Sequence, residues 1–314
     1  MQERSLEKTI LRTISYFNIF DFPLTGWEIW KNLWQPETNY SLNEVNFALD
    51  NLLNEKILGS NEGFYFLKRK DNIVFERKKK YLLAQAKIKK AKKYIQLLNR
   101  LPYVRAIFIC NNLAYQNARE GSDIDLTIIC ARNKIWTARL FCVLAMKLLR
   151  QRPTVKSQKD KICLSFYITE DNLNLQSLAY ENDVHFIYWL NQFVPVCGRP
   201  ELINNFFQAN IWTKKYLPNY FPVQTNARWQ IKARPLTQKI SEGALNCKLF
   251  FWAESLAKKF QLKVLPRHLR ELAKQNNTNV VINDKVLKFH DKDTRLEILQ
   301  KWNSTASIII NSDT

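Results

Sequence analysis

The first 70 residues alternate between helical and strand-like patterns of apolar side chains. One helical stripe is formed by Leu6, Ile10, Leu11, Ile14 and Phe17. Thr25–Glu28 and Ser41–Glu44 are two capping boxes, which predict that a helix begins at each. Ile57–Leu58 and Phe64–Leu67 surround a turn and predict a hairpin. Helix, helix, helix and hairpin is the order of a winged-helix-like domain.

Residues 72–99 are predicted to form a single long helix. Its apolar stripe steps by threes and fours through Tyr81, Ala84, Ile88, Ala91, Ile95 and Leu98. The other faces are rich in lysine, including Lys78, Lys79, Lys80, Lys87, Lys89, Lys90, Lys92 and Lys93. Two interpretations stay open: a solvated connecting helix, or a surface at residues 77–93 that binds RNA or another polyanion.

From residue 101 the pattern changes to alternating strands and helices. Val104–Cys110, Ile124–Cys130 and Ile162–Ile168 are predicted strands, and Ile135–Leu149 is a predicted helix. Helices are expected to dominate after residue 216, with a hairpin near residues 279–289. The sequence therefore predicts an α+β fold with an α/β core, in which helices flank a mixed sheet. We expect four segments: 1–70, 71–100, 101–215 and a mainly helical 216–314.

The candidate chemistry lies at the start of the second core strand. Asp123 and Asp125 are two residues apart, and side chains alternate along a strand, so both carboxylates are predicted to lie on one face. Such a pair can bind one or two Mg²⁺ or Mn²⁺ ions. In phosphoryl transfer these ions neutralise a triphosphate and stabilise the leaving pyrophosphate.

The string Ser122-Asp123-Ile124-Asp125-Leu126, with Leu113-Ala114 and Asn117-Ala118-Arg119 before it, resembles bacterial nucleotidyltransferase-domain proteins of the DNA polymerase β-like superfamily. The resemblance extends to the winged-helix-like start, to residues 160–171 and to residues 286–295. It implies a nucleotidyltransferase sheet, a nucleoside triphosphate as substrate and the two aspartates as catalytic metal ligands.

The chain departs from the family pattern in two places. Asn111 and Asn112 stand where the family has Gly-Ser, a turn whose backbone approaches the phosphates. Asparagine tolerates left-handed conformations and its amide can donate, so these residues remain candidate phosphate contacts, as do Ser122 and Arg119. The third carboxylate is also missing, because Ser165 occupies its expected strand position. Its flanking acids, Asp160, Glu170 and Asp171, are not obvious replacements.

Histidine offers two weaker candidates. His290, Asp291 and Asp293 could form a metal site, but Asp291 before an amphipathic segment is interpreted as a helix cap. His185 lies in an apolar helix and is interpreted as a core residue.

Composition narrows the partners and the compartment. The net charge of +20 lies beyond the first 70 residues and favours anionic partners. The six cysteines are scattered and form no CxxC pair, which favours reduced core thiols. The apolar stretches are too short to cross a membrane, and the first ten residues have no signal-peptide pattern, so a cytoplasmic location is expected.

Three functions follow as hypotheses. The first is an Mg²⁺-dependent transfer of a nucleotidyl group from a nucleoside triphosphate to a hydroxyl acceptor. The second is a catalytically degenerate protein of the same fold that binds nucleotide or RNA. The least favoured is a winged-helix transcription regulator, because its recognition helix, Ser41–Glu55, contains no lysine or arginine to contact DNA phosphates.

Overall fold

A computed structural model describes residues 2–67, 72–223, 227–232, 236–246, 252–275 and 277–311. The predicted boundary between residues 70 and 71 lies outside these ranges, and so does Cys247. Within them the protein is a mixed α+β structure with one six-stranded and one three-stranded sheet.

The N-terminal segment contains three helices and three short strands. In chain order these are α1 (Gln2–Asn18), β1 (Leu24–Thr25), α2 (Gly26–Lys31), α3 (Leu42–Asn54), β2 (Leu58–Asn61) and β3 (Phe64–Leu67). Both predicted capping boxes are present: Thr25 and Ser41 each accept from the backbone N–H of a glutamate three residues on, whose carboxylate accepts from the cap's own N–H. The strands pair antiparallel in the order β1-β3-β2.

The central segment follows a long helix with alternating strands and helices. These elements are α4 (Ile73–Arg100), β4 (Val104–Ile109), α5 (Asn111–Ala114), β5 (Ile124–Cys130), α6 (Ile135–Leu148), β6 (Ile162–Thr169), α7 (Val184–Asn191), β7 (Val194–Gly198) and α8 (Pro200–Ala209). Helix α4 ends where Pro102 disfavours the helical conformation for Leu101, whose ψ is 147°. The strand β7 is an addition to the sequence prediction.

The C-terminal segment contains four helices and a hairpin. These are α9 (Leu236–Leu245), α10 (Ala253–Val264), α11 (Arg267–Lys274), β8 (Val280–Ile282), β9 (Val286–Phe289) and α12 (Arg295–Asn311). The sequence predicts this hairpin at its place in the chain, but it does not predict that the hairpin joins the central sheet. It extends the central sheet, whose order is β7-β4-β5-β6-β9-β8. Residues beyond 216 therefore complete the same sheet as the core strands.

The sheet is mixed and covered on both faces. Strand β5 pairs antiparallel with β4 and parallel with β6, and β6 pairs antiparallel with β9. One face packs with α4, α6 and α10, and the other packs with α7 and α8. Burial on both sides explains why the central strands are almost continuously apolar.

The N-terminal segment shares a hydrophobic core with two later helices. Tyr16 of α1 stacks on Tyr188 of α7 at 4.3 Å between ring centroids. Trp34 meets Trp302 of α12 edge to face at 5.4 Å. These rings, with Ile298, lie in one buried cluster. The first helix therefore packs against α7, one of the helices that cover the central sheet.

The lysine row of α4 is only partly exposed. The apolar stripe that the sequence predicts for α4 is confirmed for Ala84, Ile88, Ala91, Ile95 and Leu98. Lys87, however, is 1% exposed, so its assignment to a solvent-facing basic surface is wrong. Its Nζ donates to the carbonyls of Glu120 and Ser122 at 3.1 and 2.7 Å and to Asp160 at 2.6 Å. This lysine fastens α4 to the loop that leads into β5.

Two further expectations can be compared with the fold. Cys110, Cys130, Cys142, Cys163 and Cys197 are free thiols, as predicted for the cysteines that the structure describes. Among the described helices, none combines the length and the apolar character that crossing a bilayer requires.

Replacing Lys87 by methionine should destabilise the protein. The change removes the buried ammonium that donates to the Glu120 and Ser122 carbonyls and to Asp160, and of these acceptors only the Ser122 carbonyl keeps a backbone donor within the described residues, so we expect the free energy of unfolding to fall by about 2–4 kcal/mol in urea titrations. Lys89→Met on the exposed side of the same helix is the matched control and should change it by less than about 0.5 kcal/mol. Equal effects of the two substitutions would contradict the anchoring role.

Candidate acidic site and cleft

The two aspartates converge at the beginning of β5. Asp125 is the second residue of the strand, and its carbonyl accepts from the Cys110 N–H at 3.2 Å, which holds it beside the end of β4. The carboxylates of Asp123 and Asp125 and the thiol of Cys163 lie within 4.8 Å of one another. The two carboxylates therefore lie close together, although Asp123 precedes β5 instead of lying on the strand.

The electrostatics of Asp125 reflect this crowding. Burial, followed by repulsion from Asp123, raises the pKa of Asp125 to about 6. Hydrogen bonds from Asn111 and Cys163 act in the opposite direction. A carboxyl group with so high a pKa is only partly ionised in mild acid, and a bound cation would favour its charged form.

The third position of the cluster is occupied by a cysteine. In the parallel pairing of β5 with β6, Asp125 lies opposite Cys163, whereas Ser165 lies further along at a register shift. Burial, followed by the two aspartates, raises the pKa of the Cys163 thiol well above its ordinary value, so it remains protonated. The residue facing the aspartate pair is thus a neutral hydrogen-bond donor.

The acids that flank β6 are engaged elsewhere. Asp160 pairs with Lys87 and with Lys90 at 2.6 and 2.7 Å. Glu170 and Asp171 pair with arginines at 3.8 and 3.6 Å. All three carboxylates are therefore engaged in other ion pairs. None of them takes the place of the third carboxylate that the sequence resemblance implies.

Helix α5 begins with a residue in the left-handed backbone conformation. Asn111 has φ of 55°, in the left-handed region that asparagine tolerates better than most residues. Its Oδ1 accepts from the Trp189 indole N–H, while its side chain also bonds Asp125. Asn111 therefore connects the acidic pair to helix α7. Asn112, one residue on, is exposed and lines a neighbouring cavity.

Ser122 and Arg119 lie in the turn that precedes the acids. The Ser122 hydroxyl donates to the Arg119 carbonyl at 2.9 Å, so it stabilises the turn. Arg119 is exposed and is not among the residues that line the cleft described next. The structure brings Asn111 to the aspartates and leaves Ser122 and Arg119 outside that cleft.

A cleft of about 320 Å³ opens above the central sheet next to Asp125. Its floor comes from β5, β6 and β9, and its other walls from α7 and the start of α12. Side chains from six separate elements and the loop after β9 meet there, including Asn111, Asp125, Cys163, Ser165, His185, Trp189, Lys288, His290 and Arg295. The cleft thus combines acidic, basic and aromatic groups.

Three cationic side chains line the cleft, Lys288, Lys292 and Arg295, and of these Lys288 and Arg295 are buried. The Arg295 guanidinium bonds Asp183 at 2.8 Å, the Leu178 carbonyl at 3.0 Å and Asp293 at 3.0 Å, and it also bonds Thr278 and Asn279. Lys288 is 2% exposed and donates to the Thr278 carbonyl at 2.8 Å, which uses one of its three N–H groups. Burial, followed by the charge of Arg295, lowers the pKa of Lys288 to about 7.

The two half-buried histidines of the cleft, His185 and His290, are neutral near pH 7. Burial, followed by Lys288, lowers the pKa of His290 to about 3, and burial with Arg295 lowers that of His185 to about 4. His290 Nε2 lies 3.2 Å from the Ser165 hydroxyl, and His185 Nδ1 lies 2.9 Å from that of Tyr16. His185 was interpreted as core from sequence. It is half-buried and forms part of the cleft wall.

The predicted cap at Asp291 is wrong. Asp293 accepts from the backbone N–H of Arg295, the first residue of α12, at 3.0 Å. Asp291 instead lies 3.5 Å from His268. Asp293 is held by Arg295, Tyr180 and Asn279, whose donated hydrogen bonds lower its pKa well below the ordinary range.

Comparison with known proteins adds no relative. Models of protein families, curated proteins and solved structures were searched, and none matches this chain. The site must therefore be interpreted from its own geometry.

Several cleft residues escaped the sequence analysis. The strand that contains Cys163 was expected to lie beside Asp125, so the sequence could have indicated that Cys163 is close to this aspartate. A register shift in the pairing places Cys163, and not Ser165, opposite Asp125. Lys288 pairs with Phe166 across more than a hundred residues of chain. A pattern within one segment contains no signal for such a pairing.

Asp125→Asn should stabilise the protein in EDTA at pH 7.5. Because the pKa of Asp125 is raised in the folded state, that state retains a proton between about pH 4 and pH 6 that the unfolded chain releases, and stability falls as pH rises through this window. The variant escapes this loss, so its advantage should be absent below pH 4 and reach about 1–3 kcal/mol above pH 6.

Urea unfolding at a series of pH values measures this difference. Asp171→Asn, an exposed acid at the other end of β6, is the control and should show no such pH-dependent gain. A variant that is less stable than the native protein at every pH would refute the repulsion between the two aspartates.

Proposed function

We propose that the protein is a divalent-metal-dependent nucleotidyltransferase that moves a nucleoside monophosphate group from a nucleoside triphosphate to a hydroxyl acceptor. The observation that carries this proposal is the meeting of Asp123 and Asp125 with the left-handed turn at Asn111 beside one cleft. A carboxylate pair and a turn of this kind are the parts that the sequence resemblance implies for this reaction.

The donor set fits Mg²⁺ or Mn²⁺. Asp123 and Asp125 offer carboxylate oxygens, the ligands that these ions prefer, and phosphate oxygens with water would complete the coordination. The protonated Cys163 thiol is a poor ligand for such an ion and would remain a neighbour. When bound, the ion would neutralise the triphosphate and stabilise the leaving pyrophosphate.

The chain's own groups would orient the phosphates. Lys288 presents unused N–H donors from β9 in the floor of the cleft, and Asn111 holds Asp125 in place through its amide. In the reaction the hydroxyl oxygen of the acceptor would attack the α-phosphorus and lose its proton to water, and the bond from that phosphorus to the bridging oxygen would break, so that pyrophosphate leaves. Arg295, which is fully engaged, would act by fixing the cleft wall.

A second function is favoured by one specific observation. The strand that should carry the third carboxylate presents Cys163 and Ser165, and the nearby acids are consumed in ion pairs. A site without that base fits a catalytically degenerate protein that binds a nucleotide or RNA without turnover. The two proposals share the metal and the triphosphate and differ only in the release of pyrophosphate.

The aspartates are tested directly by binding and turnover. Titration calorimetry with ATP or CTP and Mn²⁺ should detect binding to the native protein, and pyrophosphate release should accompany it. Asp123→Ala and Asp125→Ala should each lower that release by about 100-fold or more, because each removes a metal ligand.

Asp171→Ala is the matched control and should leave both measurements unchanged. Binding without pyrophosphate release in the native protein would favour the degenerate protein. If no triphosphate binds with Mg²⁺ or Mn²⁺, both nucleotide functions are rejected.

A further inference from the structure

A second cavity of about 270 Å³ adjoins the cleft. The two share four lining residues, Asn111, His185, Trp189 and Thr294, so one layer of side chains lies between them. The remaining walls come mainly from α1 and the turn that follows it. The N-terminal segment therefore contributes directly to the surroundings of the acidic site.

The walls of this cavity are rich in aromatic rings. Tyr16, Phe17, Phe20 and Phe22 line it from the N-terminal segment. Phe20 and His185 are stacked, with ring centroids 5.8 Å apart and planes 25° apart. Flat, apolar surfaces of this kind favour a planar ring, and stacking of a nucleobase on an aromatic side chain tolerates any base.

The two spaces differ in charge. The cleft is bordered by Asp125, Lys288 and Arg295, whereas the residues described around the second cavity include no acid, lysine or arginine. Its single titratable imidazole, His185, is neutral at physiological pH. An anion gains nothing from such walls, so the cavity suits the uncharged part of a ligand whose charged part lies in the cleft.

Two lining residues, Asn117 and Tyr115, have a buried polar atom without a hydrogen-bond partner among the described residues, and of these atoms only the Asn117 amide oxygen is restricted to accepting. Asn117 lines it and is 7% exposed. Its Nδ2 donates to the Phe20 carbonyl at 3.1 Å, which fixes the amide, while its Oδ1 accepts no hydrogen bond from the residues that the structure describes. Leaving a buried acceptor unpaired is costly, and a ligand that presents an amino group would satisfy it.

We propose that this aromatic cavity binds the nucleobase of the substrate, and that the base carries an exocyclic amino group, as adenine and cytosine do. This inference rests on the proposed function and names its substrate class. The base would stack beside Phe20 and donate to Asn117, and the triphosphate would extend past Asn111 and Trp189 to Asp125.

Phe20→Ala tests the inference when base and phosphate binding are measured separately. Calorimetry with Mn²⁺ should compare ATP, CTP, UTP and inorganic triphosphate on the native protein. We expect ATP or CTP to bind more tightly than UTP and than inorganic triphosphate. In Phe20→Ala the affinity for the preferred nucleotide should fall by about 5- to 100-fold, while inorganic triphosphate binds as before.

Two controls separate the ring from the fold. Phe20→Tyr retains the stacking surface and should retain the affinity. Phe47→Ala removes an exposed ring of α3 away from the cavity and should change nothing.

The outcomes distinguish the two proposals. If inorganic triphosphate binds but ATP, CTP and UTP bind no better, or if Phe20→Ala leaves their affinities unchanged, the cavity assignment is overturned and the metal site stands. If inorganic triphosphate fails to bind, the proposed function fails. Free adenosine or cytidine then decides about the cavity: binding that Phe20→Ala abolishes supports it, and absence of binding rejects it.

Discussion

The parallel pairing of β5 with β6 is the interaction on which the site depends. It sets Cys163 opposite Asp125 and forms the part of the floor to which β9 adds Lys288 and His290. Because side chains alternate along each strand, one change of register would turn the floor's polar groups toward the opposite, apolar face. The hydrophobic layers on both sides of the sheet oppose such a slip.

Burial then sets the chemistry of the floor. The same desolvation that raises the pKa of Asp125 and of the Cys163 thiol lowers those of Lys288 and His290. Each group moves toward its neutral form, since a low-dielectric cleft penalises charge of either sign. A ligand that contains both phosphate and a divalent cation would reverse these pKa shifts together, as the proposed metal-bound triphosphate would.

The N-terminal segment packs on later helices and lines a cavity, and this role differs from DNA binding. Its first helix stacks on α7 and contacts α12, and its turn residues form the aromatic cavity. Its third helix exposes Glu44, Asp50 and Phe47, a surface that does not attract phosphates. The N-terminal segment therefore forms a wall of the second cavity.

Much of the local structure was determined by sequence. The two capping boxes, the stripe of α4, the central strands and the C-terminal hairpin each follow from patterns within a few turns of chain, and all are found in the structure. The nearness of Asp123 and Asp125 was also expected from their spacing of two residues, although only Asp125 lies within β5.

Only the tertiary structure decided what joins that pair. Local patterns do not record which strands pair across a hundred residues, so the place of the hairpin in the sheet, the burial of Lys87, and the arrival of Lys288, His290 and Trp189 could not be predicted. Lys87 illustrates the reason. Solvated lysines are its neighbours in sequence, whereas its own burial depends on carbonyls of another segment that the fold places beside it. Sequence determines the elements and the acids, and long-range packing determines the cleft.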